Sequence, residues 1–140
     1  MNTGQVSVFF YGLFMDESLL ASKGVRPSRA VNGYVDGYGL RIGSRASLVP
    51  EEGSRAYGVL MTLRAEDVRA LYADESVADY VAGPVSVVLR DDTLEAAVCY
   101  TLPESMLSGT NAAYAASLLE LAEKLGFPAD YLQQIRRQIA

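Results

Sequence analysis

The sequence predicts an α+β domain built on a small bent β-barrel, and three observations lead there. The apolar run Val6-Ser7-Val8-Phe9-Phe10 alternates weakly and stops at Tyr11-Gly12, as a buried strand does before a tight turn. Ala30 to Ile42 carries Gly33, Gly37 and Gly39 among Tyr and Val residues, which suits strands that bend or bulge around a small barrel. Helical periodicity replaces these patterns near Ala65 and again after Asn111.

Taken in order, the first strand leads into the turn at Tyr11-Gly12, and Asp16 is placed to cap a short helix beginning Glu17-Ser18-Leu19-Leu20-Ala21. After the glycine-rich segment, Ala46 to Val49 reads as a short strand and Pro50-Glu51-Glu52-Gly53 as a turn, followed by a strand from Arg55 to Leu63. From Ala65 the chain is helical: Glu66 and Asp67 favour the first turn, and Val68, Leu71 and Tyr72 share one face. Val81 to Leu89 and Glu95 to Leu102 form a hairpin across the polar turn Asp91-Asp92. Pro103 to Thr110 is a loop, after which Asn111 caps a helix whose inward stripe is Tyr114, Leu118, Leu121 and Leu125. Gly126 and Pro128 end it, and a last helix starts at about Ala129. Neither a repeat nor a linker divides residues 1–140, so a single domain is expected.

Composition narrows the function. Half of the 140 residues are hydrophobic, yet none of the apolar stretches reaches the roughly 20 residues a membrane-spanning helix needs. No basic residues precede the first apolar run, so no secretory signal is read there and a cytoplasmic location is expected. A net charge of −5, with 12 basic residues scattered along the chain, argues against nucleic acid and anionic membranes as partners and leaves a small molecule. Oligomeric state is not encoded in any of these patterns. Cys99 is the single cysteine and sits in an apolar stretch, which suits a buried, inert thiol.

The chain contains no histidine, which removes the usual general base, the usual zinc ligand and every Ser-His or Cys-His pair. Acid–base work therefore falls to carboxylates, tyrosines or lysines. No phosphate-binding loop, CxxC pair or dinucleotide fingerprint occurs, so the expected reaction uses no cofactor and no metal.

Two segments carry candidate chemistry. Tyr11-Gly12-Leu13-Phe14-Met15 places backbone amides at the end of a strand, where an anionic group can be received. Read alone, it equally suits a simple chain reversal with Leu13, Phe14 and Met15 plugging the core. In Leu71-Tyr72-Ala73-Asp74-Glu75-Ser76, helical spacing would project Glu75 along the direction of Val68, towards the apolar side, while Asp74 points elsewhere. A carboxylate in such surroundings holds its proton more tightly and suits acid–base catalysis. If the helix stops earlier, Glu75 is a solvated charge. Arg41 and Arg45 are further candidates, able to receive a substrate carboxylate or simply solvated near turns.

Four blocks in this order resemble the γ-glutamylcyclotransferase-like (AIG2-like) family, whose fold is a small bent mixed β-barrel flanked by helices. Phe9 to Met15 is similar to the family's Tyr-Gly-Ser or Tyr-Gly-Thr loop. Ala46 to Pro50 with Tyr57-Gly58-Val59-Leu60 is similar to its next strands. Leu71 to Glu75, with Tyr80 after it, resembles the family's leucine-to-glutamate helix end and following strand. Tyr114 through Leu125-Gly126-Phe127-Pro128-Ala129-Asp130-Tyr131 resembles its C-terminal helix, turn and following Tyr.

That resemblance implies an enzyme in which the substrate's α-amino group attacks its own γ-carbonyl carbon, closing 5-oxoproline and releasing an amine or amino acid. Glu75 would be the general acid/base, Tyr11, Gly12, Leu13 and Phe14 the cradle, and Tyr80 and Tyr114 further walls of the γ-glutamyl site. No cofactor is implied. Leu13 and Phe14 depart from the family's small hydroxyl residue and its neighbour, which points to a different or bulkier γ-linked group. The alternative is a small-molecule binding domain that keeps the cavity and has no chemistry. An interaction module is a third reading, with only the apolar composition behind it.

Overall fold

The computed structural model describes residues 4–75 and 77–138. Among them, five strands run β1 Gln5–Phe10, β2 Arg29–Ile42, β3 Ala46–Arg64, β4 Val81–Leu89 and β5 Leu94–Thr101. The helices are α1 Glu17–Ser22, α2 Ala65–Leu71, α3 Ala112–Lys124 and α4 Ala129–Arg137. The strands follow the order β1-β3-β2-β4-β5 and close into a barrel. Closure is made by a parallel pairing of Val8 with Val98, whereas the other neighbours are antiparallel. The expected α+β class with a small mixed barrel is therefore the observed one. None of the helices among the described residues is long and apolar enough to cross a membrane.

The two strands and intervening turn expected between Ala46 and Leu63 are one continuous strand, β3. Asp36 pairs with Arg55 and Tyr38 with Pro50, so residues 51–54 stand opposite Gly37 alone. The turn residues thus form a large bulge inside a strand, with Gly37 and Gly53 both at φ +83, a region costly for side-chain-bearing residues. Arg41 Nη2 donates to Glu51 Oε1 at 2.5 Å and Ser54 Oγ to Glu51 Oε2 at 2.6 Å, which organises the excursion. The expected turn between two strands is therefore a bulge within one strand, with no reversal of the chain. Continuity across it is set by β2, which pairs on both sides.

Barrel closure requires β1, β3 and β2 to approach closely. Gly58 pairs with Gly33 across β3 and β2, and a Cβ on Gly58 would collide with the Phe10 carbonyl. Val8, Phe9, Leu60, Met61 and Val87 are all essentially inaccessible to water, and because Val8 pairs with Met61 and Phe9 with Leu60 on alternate faces, the β1–β3 sheet is buried on both sides. Each such side chain contributes about 1.5–3 kcal/mol of transfer free energy.

β2 meets β4 only at Gly33–Leu89 and Tyr34–Val88. Beyond those pairs, residues just after α3 and α4 hydrogen-bond to β2. Asn32 Nδ2 donates to the Leu125 carbonyl at 2.8 Å, the Ile42 N–H donates to Gln138 Oε1 at 2.7 Å, and Gln138 Nε2 donates to the Leu40 carbonyl. Asn111 Oδ1 caps α3 by accepting from the Tyr114 N–H. The most buried α3 residues are Ala115, Leu118 and Ala122, and Tyr114, Leu121 and Leu125 flank them half-buried. Gly126 at φ +77 ends the α3 segment, and α4 packs through Tyr131 and Ile135.

Candidate active site

The strand β1 delivers Tyr11 to the barrel mouth, where its hydroxyl donates to the Tyr100 carbonyl at 2.6 Å and ties the end of β1 to β5. Gly12 is extended, and Leu13–Met15 form a single 3-10 turn closed by Met15 N–H to Gly12 O and Asp16 N–H to Leu13 O, both 3.0 Å. Asp16 Oδ1 then accepts from the Ser18 N–H at 2.9 Å and starts α1, the capping role its position predicts.

This loop forms one side of a cavity of about 420 Å³. Tyr11, Gly12, Leu13, Phe14, Tyr80 and Tyr114, all expected at the site, line it together. Leu13 and Phe14 reach both the cavity and the core: each is half-buried and packs against the central cluster. Phe14 lies edge-on to Phe10 and to Tyr72, with centroids 5.8 Å apart in each case, and Tyr72 stacks on Tyr100 at 3.9 Å and 9°. Such a chain of ring contacts holds Phe14 in place as a rigid wall.

Tyr114 enters from α3. The gap it fills exists because residue 12 has no side chain: a Cβ there would stand 2.5 Å from the Tyr114 hydroxyl. Gly12→Ala is therefore expected to displace Tyr114 and destabilise the fold by about 1–2 kcal/mol, with Tyr114→Phe in the same chain recovering part of the loss. A double-mutant cycle in urea measures the coupling; strictly additive losses would refute the contact.

Burial raises the Tyr11 and Tyr72 hydroxyls well above the ordinary phenol range, and lifts Tyr114 to about 12 despite a hydrogen bond with the Leu13 backbone. At neutral pH these tyrosines are neutral hydrogen-bonding groups. Tyr80 is also raised by burial, and its hydroxyl donates to the Ala46 carbonyl at 2.5 Å. Cys99 is buried and its thiol is pushed up to about 12, so at pH 7 to 8 almost none is thiolate. Native protein is expected to resist a thiol reagent such as DTNB until denaturant is added; rapid release of the chromophore without denaturant would show otherwise.

The carboxylates are arranged differently from the helical projection. α2 ends at Leu71, and Val77 N–H to Asp74 O at 3.0 Å and Tyr80 N–H to Val77 O at 3.1 Å mark successive turns beyond it. Where the helix stops, the Tyr72 ring stacks on Tyr100 of β5. Glu75 is thus exposed in a turn and does not line the cavity, whereas Asp74 does. The adjacent Ser76 lies outside the described residues. Spacing along one helix could not reveal Asp74, because its position depends on where that helix stops.

Arg45 lines the cavity, its Nη1 3.1 Å from Asp79 Oδ2 and its guanidinium 6.0 Å from the Tyr80 ring centre. Arg41 is elsewhere, paired with Glu51. Lys23, Leu19 and Val77 also line the site and escaped the sequence reading. Leu19 and Lys23 are four residues apart at the end of α1, a spacing that places both on one face. Among the described residues, no cluster of three or more His, Cys, Asp or Glu is placed to hold a metal ion.

A strand-end loop, a tyrosine-lined cavity and a carboxylate-bearing turn, all on a closed five-stranded barrel, define a γ-glutamylcyclotransferase-like fold. The family model described as the AIG2-like family matches residues 55–135, and the chain belongs to that family. A solved "gamma-glutamyl cyclotransferase" is 15% identical, covers 94% of this chain and 86% of its own, and superposes with a TM-score of 0.74. The yeast γ-glutamyl cyclotransferase specific to glutathione is 13% identical, with coverage of 98% and 96% and a TM-score of 0.70. YkqA from Bacillus subtilis is 20% identical with a TM-score of 0.80; 98% of this chain aligns with 55% of that protein. No curated protein matches the chain.

Proposed function

We propose that this chain is a γ-glutamylcyclotransferase-like enzyme that releases 5-oxoproline from γ-glutamyl conjugates. The observation that carries the reading is the convergence of the Tyr11 loop, Tyr114 and Asp74, the residue before Glu75, around a single cavity in a chain of this family.

In the proposed reaction, the substrate's α-amino nitrogen forms a bond to its γ-carbonyl carbon and closes a five-membered ring. The bond from that carbon to the leaving nitrogen then breaks. One carboxylate relays two protons in turn from the α-nitrogen to the leaving nitrogen, first the ammonium proton whose loss frees the lone pair and then the one shed as the ring nitrogen becomes an amide. The amine therefore departs as an ammonium, and the protein supplies no nucleophile. We assign that carboxylate to Glu75, the position that corresponds to the family's glutamate, and assign Asp74 to holding the ammonium from the cavity wall. No hydrogen bond or ion pair among the described residues restrains the Glu75 side chain, and a catalytic contact commonly tightens only when substrate is bound. The Met15 and Asp16 amides are engaged in the 3-10 turn, so the oxyanion would be received by amides earlier in the loop. Holding the two reacting ends together supplies much of the rate, since well-oriented intramolecular attack is worth about 7–11 kcal/mol.

A second reading, a binding domain without chemistry, is favoured by the exposure of Glu75 outside the cavity. Mass-spectrometric detection of 5-oxoproline and the released amine, over a panel of γ-glutamyl amino acids, amines and peptides, separates the two. Product from the wild-type protein supports the enzyme. A rise in melting temperature with no product from any conjugate would replace it with the binding domain.

A further inference from the structure

Resting on the γ-glutamyl reading, we propose that the site selects conjugates whose leaving group is a large apolar amino acid, its side chain packed by Phe14, Leu19 and Val77 and its carboxylate received by Lys23. The cavity, at about 420 Å³, lies within the roughly 300–1,000 Å³ range of sites for drug-sized ligands and exceeds what a γ-glutamyl group needs.

Its walls beyond the loop are apolar. Phe14 is fixed by its edge-on contacts with Phe10 and Tyr72, so a flat or branched hydrocarbon group meets a preformed surface and orders little in binding. Leu19 presents another apolar surface from α1, and Val77 closes in from the turn after α2. A small leaving group such as alanine would leave this surface wet, whereas a phenylalanine or leucine side chain would cover it.

The charges give the second half of the argument. Two cations from separate elements line the cavity: Arg45, which follows β2, and Lys23, at the end of α1. A γ-glutamyl amine has one carboxylate and needs one of them. A γ-glutamyl amino acid has two carboxylates and uses both. Arg45 is already balanced in part by Asp79 at 3.1 Å, while Lys23 has no ion-pair partner among the described residues. Leu19 lies one turn before Lys23 on the same face, so a side chain resting on Leu19 brings its own α-carboxylate towards the ammonium.

The test compares γ-glutamyl-phenylalanine, γ-glutamyl-alanine and γ-glutamyl-phenethylamine by kcat/KM and, in parallel, by Kd from calorimetry. The phenylalanine conjugate should exceed the alanine conjugate by at least about tenfold through ring burial. It should exceed the phenethylamine conjugate by about threefold to fivefold at low salt, as fits an exposed ion pair. Lys23→Met, or high salt, should collapse the second ratio, and Phe14→Ala the first. Phe14→Leu, which keeps apolar bulk in the core, should retain most of the first ratio and guards against misfolding of the alanine variant. Equal handling of alanine and phenylalanine conjugates, or an unchanged second ratio in Lys23→Met, would overturn the proposal. Absence of 5-oxoproline from all three would overturn the catalytic reading instead, and the Kd ratios would still decide the selectivity.

Discussion

Glu75→Gln is expected to lower kcat for 5-oxoproline release by at least about 10²-fold while leaving KM within about threefold, because general acid–base catalysis is worth roughly 10²–10⁴ in rate. The substitution keeps size and polarity and removes only the capacity to carry a proton. Since Glu75 is exposed and lies in a turn, folding stability should be unaffected, and the urea midpoint provides that control. Asp74→Asn should behave differently. Asp74 lines the cavity, so losing its charge should mainly raise KM by weakening the hold on the substrate ammonium. If the two variants exchange phenotypes, with Asp74→Asn abolishing kcat and Glu75→Gln turning over normally, the acid–base assignment moves one residue back. Full turnover in both would remove the proposed mechanism.

What could be read from the chain alone was local. The β1 run, the Asp16 and Asn111 caps and the β4–β5 hairpin each depend on residues within a few positions of one another, and each stands where its composition places it. The turn of Tyr11 to Phe14 was legible for the same reason, directly after a strand. Features decided by distant contacts were not. β3 continues through Pro50 to Gly53 because β2 pairs with both halves, a fact invisible in those four residues. α2 ends at Leu71 although its apolar spacing runs on to Tyr72, whose ring stacks on Tyr100, a residue on β5. That early end puts Asp74 rather than Glu75 on the cavity wall. Lys23 and Arg45 belong to the same cavity only once α1 and the β2–β3 connection have been brought to the barrel mouth.

The barrel's dependence on close strand approach leads to the largest expected loss of stability, in Gly58→Ala. The added Cβ would meet the Phe10 carbonyl and come within 2.6 Å of the Phe9 ring. Neither can yield cheaply. The Phe10 carbonyl belongs to β1, whose Phe10 is in register with Val59, and Phe9 is 1% exposed in the centre of the core. Forcing a methyl group into such packing costs about 3 kcal/mol, at the upper end of overpacking penalties, against a gain of about 0.5–1 kcal/mol from replacing a strand glycine with alanine. Two other glycines isolate the cause. Gly53→Ala meets no atom within 4 Å but must hold φ +83, which costs about 1–2 kcal/mol through backbone strain. Gly83→Ala, on β4 opposite Cys99, meets no atom within 4 Å at an ordinary φ, and should be neutral or stabilising by about 0.4–1 kcal/mol. Urea denaturation at constant m should therefore rank Gly58→Ala far below Gly53→Ala, with Gly83→Ala at or above wild type; a Gly58→Ala protein as stable as Gly83→Ala would contradict the packing argument. Because Phe10 lines the cavity and Tyr11 follows it, the same shift of β1 should also move the Tyr11–Phe14 loop on the cavity wall, so Gly58→Ala should weaken ligand binding from a position that does not line the cavity.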